Sequence, residues 1–169
     1  MRFANNTILV TSGEDATVFR IFDGIQAVEA HNNVLYASAG GTLRVERTVE
    51  AVWTNGRQVG GSNNWIPDGA TFVPPEWIGT LQGTAPGFAD IAQLDLVPAP
   101  AGDLVDAANP SPQPIPGYAV PGTTFPPLYQ PRRAHVLPGS AMPRPASGVL
   151  DIGALERAGD AIFADGFEP

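Results

Sequence analysis

The sequence predicts an all-β protein of short stacked strands, and three observations predict it. Gly and Pro supply 19 and 18 of the 169 residues; Pro removes a backbone donor and Gly adopts unusual angles, so helix interiors are disfavoured. Short runs rich in Val, Ile, Leu, Thr and aromatics recur between turn signals, and no long stretch repeats with the 3.6-residue period of a helix. An Asn pair followed by apolar residues occurs at 5–6, 32–33 and 63–64, at intervals of 27 and 31 residues.

Taken in order, residues 1–66 contain no Pro and hold the β runs "TILV" (7–10), "TVFRIF" (17–22), "AVEA" (27–30), "VLYA" (34–37) and "TLRVERTVEAVW" (42–53). The runs are bounded by "SGED", "DG", "AGG" and "TNG". In "TVFRIF", Val18, Arg20 and Phe22 oppose Phe19 and Ile21. In "LRVERTV", Leu43, Val45 and Val49 alternate with Arg44, Glu46 and Thr48, with a phase slip near Arg47.

The Asn pairs admit two readings. They are common turn residues that match by chance, or they mark the corners of a solenoid with one supersecondary unit per repeat. On the second reading Asn6, Asn33 and Asn64 form a structural ladder of side-chain hydrogen bonds along the stack. Asn also tolerates the left-handed angles that a sharp corner demands.

Residues 110–145 contain eleven prolines. "NPSPQPIPGYAVPGTTFPPLYQP" (109–131) is excluded from helix and central strand and reads as an extended wrap or a linker. The apolar anchors Ile115, Tyr118, Val120, Phe125, Leu128 and Tyr129 favour the wrap.

Two later stretches carry a family resemblance. In "GTAPGFADIAQLDLVPAPAGDLVDAANP", Pro86–Gly87–Phe88, Leu94–Asp95–Leu96 and Val105–Asp106–Ala107 match a "dPgF…dfrL…gSpaiDaG" pattern. In "MPRPASGVLDIGALE" (142–156), Asp151, Ile152, Gly153, Ala154 and Glu156 match an "R-P…G…DIGA(F/Y)E" ending, with Leu155 in place of the aromatic. The chain thus resembles the C-terminal end of bacterial right-handed parallel β-helix proteins of the pectate-lyase-like superfamily, of the choice-of-anchor Q type. "DAIFADGFEP" (160–169) is similar to a short tail of exported gammaproteobacterial proteins.

The resemblance implies about three terminal coils of a right-handed parallel β-helix over 1–73, a loop-rich cap over 74–159 and a tail over 160–169. It also implies an extracellular or cell-surface location, although "MRFANNTILVTSG" has no apolar region of signal-peptide length. Relatives usually carry further coils before this point, so the expectation is a C-terminal piece whose open first coil, at Met1–Val10, tends to self-associate.

The net charge is −8 and every basic residue is Arg. An acidic chain repels phosphate backbones and anionic bilayers, so neither nucleic acid nor a membrane surface is an expected partner. No apolar run reaches the length of a membrane span. The absence of Cys removes disulfides, thiolate metal sites and Cys nucleophiles.

Candidate site residues follow from side-chain chemistry. Trp53, Trp65 and Trp77, twelve residues apart, suit stacking on sugar rings if exposed and a core if buried. Arg132 and Arg133 either grip an acidic sugar or pair with cap carboxylates such as Asp106 or Asp151. Asp106, Asp151 and Glu156 are cap carboxylates; Asp106 and Asp151 are expected to accept backbone N–H groups in turns rather than bind Ca²⁺, so no cofactor is expected. His31 and His135 are isolated, and no Ser–His–Asp spacing or P-loop is present. The expectation is a non-catalytic capping part that contacts polysaccharide or a surface partner. The alternative is the end of a polysaccharide lyase or glycoside hydrolase whose catalytic coils lie upstream.

Overall fold

A computed structural model describes residues 1–48, 53–119, 125–132, 141–145 and 148–158. Its strands are β1 (Arg2–Ala4), β2 (Thr7–Val10), β3 (Ala16–Ile21), β4 (Val28–His31), β5 (Val34–Ala37), β6 (Leu43–Thr48), β7 (Val59–Ser62), β8 (Trp65–Pro67), β9 (Trp77–Ile78) and β10 (Leu81–Gly83). These make three parallel sheets, ordered β1-β4-β7-β9, β2-β5-β8-β10 and β3-β6. Thr71 adds one parallel bridge beside Arg44. The all-β expectation holds, and each sheet stays open-edged, taking one strand in turn from each successive segment. The parallel pairing runs to Gly83, past residue 73.

The Asn pairs sit at the bends between the first and second sheets. Asn5, Asn32 and Asn63 have φ of 51°, 55° and 50°, the left-handed region that Asn enters at little cost. Their N–H groups donate to the carbonyls of His31, Ser62 and Ile78, each on the next segment. Asn6, Asn33 and Asn64 accept in turn through their carbonyls from Val34, Trp65 and Leu81. A fourth bend uses Gly79, with φ of 61°, followed by Thr80.

The interior between the sheets is apolar. Phe19, Ile21, Val28, Ala30, Leu35, Leu43, Val45, Ile66 and Trp77 form one buried cluster. Phe3, Ala30, Gly61 and Trp77 stand in register on the first sheet. The small residues in this row make room for the indole. A Cβ on Gly61 would lie 2.4 Å from Trp77 Cδ1 and 2.6 Å from the Ala30 carbonyl oxygen.

A second buried cluster lies on the outer face of the β2-β5-β8-β10 sheet, where Val34 and Trp65 meet Leu104, Ala108 and Ile152. The sheet is therefore apolar on both faces, as parallel sheets covered on both sides are. The covering chain includes β11 (Phe88–Asp90), a 3-10 turn at Ile91–Gln93, β12 (Asp95–Pro98), β13 (Tyr129–Gln130) and β14 (Met142–Pro143). β11 pairs antiparallel with β12, and β13 with β14.

Candidate functional site

Three polar arrangements stand out, beginning with the joint between stack and cap. The first Asn of each pair faces the covering chain. Asn5 Nδ2 donates to the Asp151 carbonyl, and Asn63 Nδ2 donates to that of Ala107 at 2.9 Å. Asn32 and Asn109 bond reciprocally, with Asn32 Nδ2 donating to the Asn109 carbonyl at 2.9 Å and Asn109 N–H to Asn32 Oδ1 at 2.8 Å.

The second Asn of each pair faces the next segment. Asn33 Oδ1 accepts both the N–H and the Nδ2 of Asn6, each at 3.0 Å. Asn64 Oδ1 accepts the N–H and Nδ2 of Asn33 at 3.0 and 2.9 Å. One Asn of each pair thus ties the stack to its cover, and the other ties rung to rung.

The cap closes around a buried ion pair. Arg144 Nε donates to Glu156 Oε2 at 2.8 Å, and both side chains are all but inaccessible. The remaining guanidinium donors reach the carbonyls of Asp151, Gly153 and Ala154. Glu156 Oε1 accepts the Asp151 N–H, and Glu156 N–H donates to Gln130 Oε1. Asp151 accepts the N–H groups of Asp106 and Arg157 at 2.8 and 2.7 Å. Burial pushes the Glu156 carboxyl above its ordinary range, Arg144 opposes this, and the Asp151 charge adds to it.

The second arrangement lies under the Pro-rich wrap, on the outer face of the first sheet. Arg2 pairs with Glu29, whose Oε1 accepts the Ile115 N–H at 2.6 Å. His31 Nδ1 lies 3.0 Å from Ser62 Oγ, which also accepts from Asn109 Nδ2 at 3.0 Å. Ser62, His31 and Glu29 present the three residue types of a nucleophilic triad, but the geometry is that of a structural link. Ser62 is 3% exposed and already bonded on both sides. His31 Nε2 stands 3.9 Å from Glu29 Oε2, beyond hydrogen-bond reach.

Burial pushes the His31 imidazole below its ordinary value of 6.5; Glu29 pulls it up, and Arg2 pushes it further down. The unfolded chain therefore binds this proton more tightly than the folded one. The stability that neutral His31 contributes is complete above pH 6.5 and lost as pH falls through the folded value. Glu156 acts with the opposite sign, since its raised folded value favours folding at low pH and loses that contribution as pH rises. The His31 effect therefore shows as a difference between proteins. Between about pH 7.5 and about pH 5, the urea midpoint of the native chain falls more than that of His31→Gln, whose amide keeps a partner for Ser62 and does not titrate.

The third arrangement is a surface groove of about 380 Å³ beside β6, lined by Arg44, Glu46, Arg47, Arg57, Phe72 and Pro75. Arg57 is held between Glu46 and Glu76, with Nη1–Oε1 and Nε–Oε1 distances of 2.6 and 2.7 Å. Hydrogen bonds to Glu46 and then Glu76 raise the pKa of Arg57, and Arg57 in turn lowers that of Glu76. Arg44 lies 4.5 Å over the ring of Phe72, which is 65% exposed and held at a left-handed φ of 52°. Among the described residues, no ion pair joins Arg44 or Arg47 to a carboxylate.

These positions redistribute the roles read from the sequence. Trp65 is completely buried under the cap and Trp77 is buried inside the stack, so neither offers a face to a sugar. Trp53 is half-buried, with the Arg57 guanidinium 5.9 Å from its ring centre. Arg132 is exposed, while Arg133 and His135 lie outside the described residues. The guanidinium that closes the cap is that of Arg144, and its signal was present in the "RP" of "MPRPASGVLDIGALE". Asp106 is a correction of another kind: its side chain is exposed, and its own N–H donates to Asp151.

Among the described residues, no group of three or more His, Asp or Glu is placed to hold a metal ion, and no helix is long and apolar enough to cross a membrane. Comparison of the chain with protein-family models, with curated proteins and with solved structures returns no match.

Proposed function

We propose that this chain is a non-catalytic capping part of an exported right-handed parallel β-helix and that it contacts polysaccharide through the groove beside β6. The observation that carries the polysaccharide reading is the pairing of an exposed aromatic face with guanidinium groups in one concavity, Phe72 with Arg44 and Arg47. An aromatic face suits the C–H side of a pyranose, and the Arg donors suit its hydroxyl or carboxylate oxygens. Parallel stacking of successive segments beneath a sealed cap supports the structural half of the reading. The inaccessible Ser62–His31 pair, whose Ser62 Oγ is bonded on both sides, supports the non-catalytic half.

Affinity electrophoresis against a panel of neutral and acidic polysaccharides tests this. Retardation is expected on at least one glycan, and Phe72→Ala or Arg44→Ala should weaken it roughly tenfold, the worth of one desolvated cation–π or stacking contact. Incubation with polygalacturonate and Ca²⁺ is expected to release no unsaturated product. A panel with no binder removes the polysaccharide reading, and product release removes the non-catalytic one.

A further inference from the structure

The nine arginines of this acidic chain are not spread evenly, and three of them, Arg20, Arg44 and Arg47, stand on β3 and β6 of the third sheet. Arg20 and Arg47 are opposite each other in the parallel register, so their side chains leave the same face of the sheet on strands about 4.8 Å apart. Both are exposed, while Phe19 and Ile21 on either side of Arg20 are buried. Like charges placed directly opposite destabilise a sheet. Among the described residues, no carboxylate pairs with Arg20, Arg44 or Arg47 to offset this.

The surroundings favour an anion. Glu46, the carboxylate of the groove, accepts from Nη1 and Nη2 of Arg57 through both oxygens, at 2.6 and 2.8 Å, so its charge is answered within the chain. Two exposed rings flank the basic face. The Arg20 guanidinium lies 5.5 Å from the ring centre of Phe22, and that of Arg44 lies over Phe72. A rule of sheet pairing is thus broken at Arg47, a residue that lines the groove, and proteins break such rules at functional sites.

We propose that the polysaccharide of the groove beside β6 carries tetrahedral sulfate or phosphate esters, and that Arg20 and Arg47 together hold one ester group. A carboxylate has two oxygens, and one guanidinium fork engages both. An ester sulfate or phosphate has three terminal oxygens, enough to accept from two forks at once. Two forks side by side on adjacent strands are what β3 and β6 present. Arg44 and Phe72 take the neighbouring sugar ring, with Phe72 against its C–H side. The inference rests on the polysaccharide half of the reading above and narrows it to one anion geometry.

Dextran sulfate, dextran phosphate and carboxymethyl dextran of matched charge density share one backbone and separate the anions. In affinity electrophoresis of the full chain, at least one of the two ester polymers is expected to bind roughly tenfold more tightly than the carboxymethyl polymer, and the tighter of the two identifies the ester. Arg20→Gln and Arg47→Gln should each remove that preference without lowering the urea midpoint, since each relieves the like-charge pair. Phe72→Ala should weaken all three polymers alike and keep the preference. A carboxymethyl polymer bound as tightly as the esters overturns the inference and leaves the polysaccharide reading standing. So does a result in which the only glycans bound, here or in the earlier panel, are neutral or carboxylated. No binder in either panel overturns both. An equal loss from Arg132→Gln, an exposed Arg that does not line the groove, reduces the effect to overall charge and overturns the inference as well.

Discussion

Replacing Arg144 by Met lowers the unfolding free energy by about 3–5 kcal/mol at neutral pH, the cost of leaving a buried charge without its partner. The charge is that of Glu156, whose side chain is 2% exposed. The substitution also strips donors from the carbonyls of Asp151, Gly153 and Ala154. Arg144→Lys rescues little, because an ammonium cannot span a carboxylate and three carbonyls from one position.

Two controls separate this mechanism from general damage to the cap. Arg144→Met combined with Glu156→Gln should lose less than Arg144→Met alone, since no unpaired charge remains. The single variant should also recover part of its loss on mild acidification. Arg144 holds the Glu156 carboxyl down against burial, so without it the folded state takes up a proton more readily. Urea midpoints report the energy, and hydrogen exchange at the Ile152 and Gly153 amides reports the location. Those amides donate to Leu104 and Asn32 and should lose protection. An unchanged midpoint would contradict the clamp.

The second large effect belongs to Asn64. Its Oδ1 serves two donors of Asn33, and its Nδ2 donates to the Ala30 carbonyl at 2.8 Å, all out of reach of water. Asn64→Ala strands the buried Asn33 N–H and leaves Asn33 Nδ2 only its bond to the Phe3 carbonyl at 3.2 Å, and at about 1–3 kcal/mol for a buried unsatisfied group the loss is about 1–3 kcal/mol. The ladder makes this a graded prediction. Asn33→Ala should cost less, because the Asn6 groups it releases border solvent, and Asn6→Ala should cost least, because Asn6 is exposed. Three denaturation curves test the order; equal losses, or the reverse order, would contradict it.

Much of this was legible before any coordinates. The runs at 7–10 and 34–37 coincide with β2 and β5, and those at 17–22 and 42–53 contain most of β3 and β6. The Asn pairs also hold the register. Written one above another, "MRFANN", "VEAHNN" and "VGGSNN" place Arg2 on Glu29 and His31 on Ser62, the pairing seen between β1, β4 and β7.

What escaped has physical causes. The fourth bend fills its left-handed position with Gly79 instead of Asn, and it arrives sixteen residues after Asn63 because its segment is short. The even spacing of the tryptophans matches none of the intervals between bends, so the three rings fall into three environments. Glu29 and His31 look like solvent-facing positions of an alternating strand. They are buried because the wrap crosses that face, which no local pattern announces. Arg144 pairs with a cap turn, and a turn shows no period from which such a partner can be read.

The central claim is that successive segments stack in parallel with their Asn bends in register. Scalar couplings across backbone hydrogen bonds, measured by NMR on labelled protein, test it most directly. The account predicts couplings from the amide nitrogens of Asn5, Asn32 and Asn63 to the carbonyl carbons of His31, Ser62 and Ile78, one rung apart each time. Their absence, with these amides coupled instead to antiparallel neighbours within residues 1–66, would contradict it.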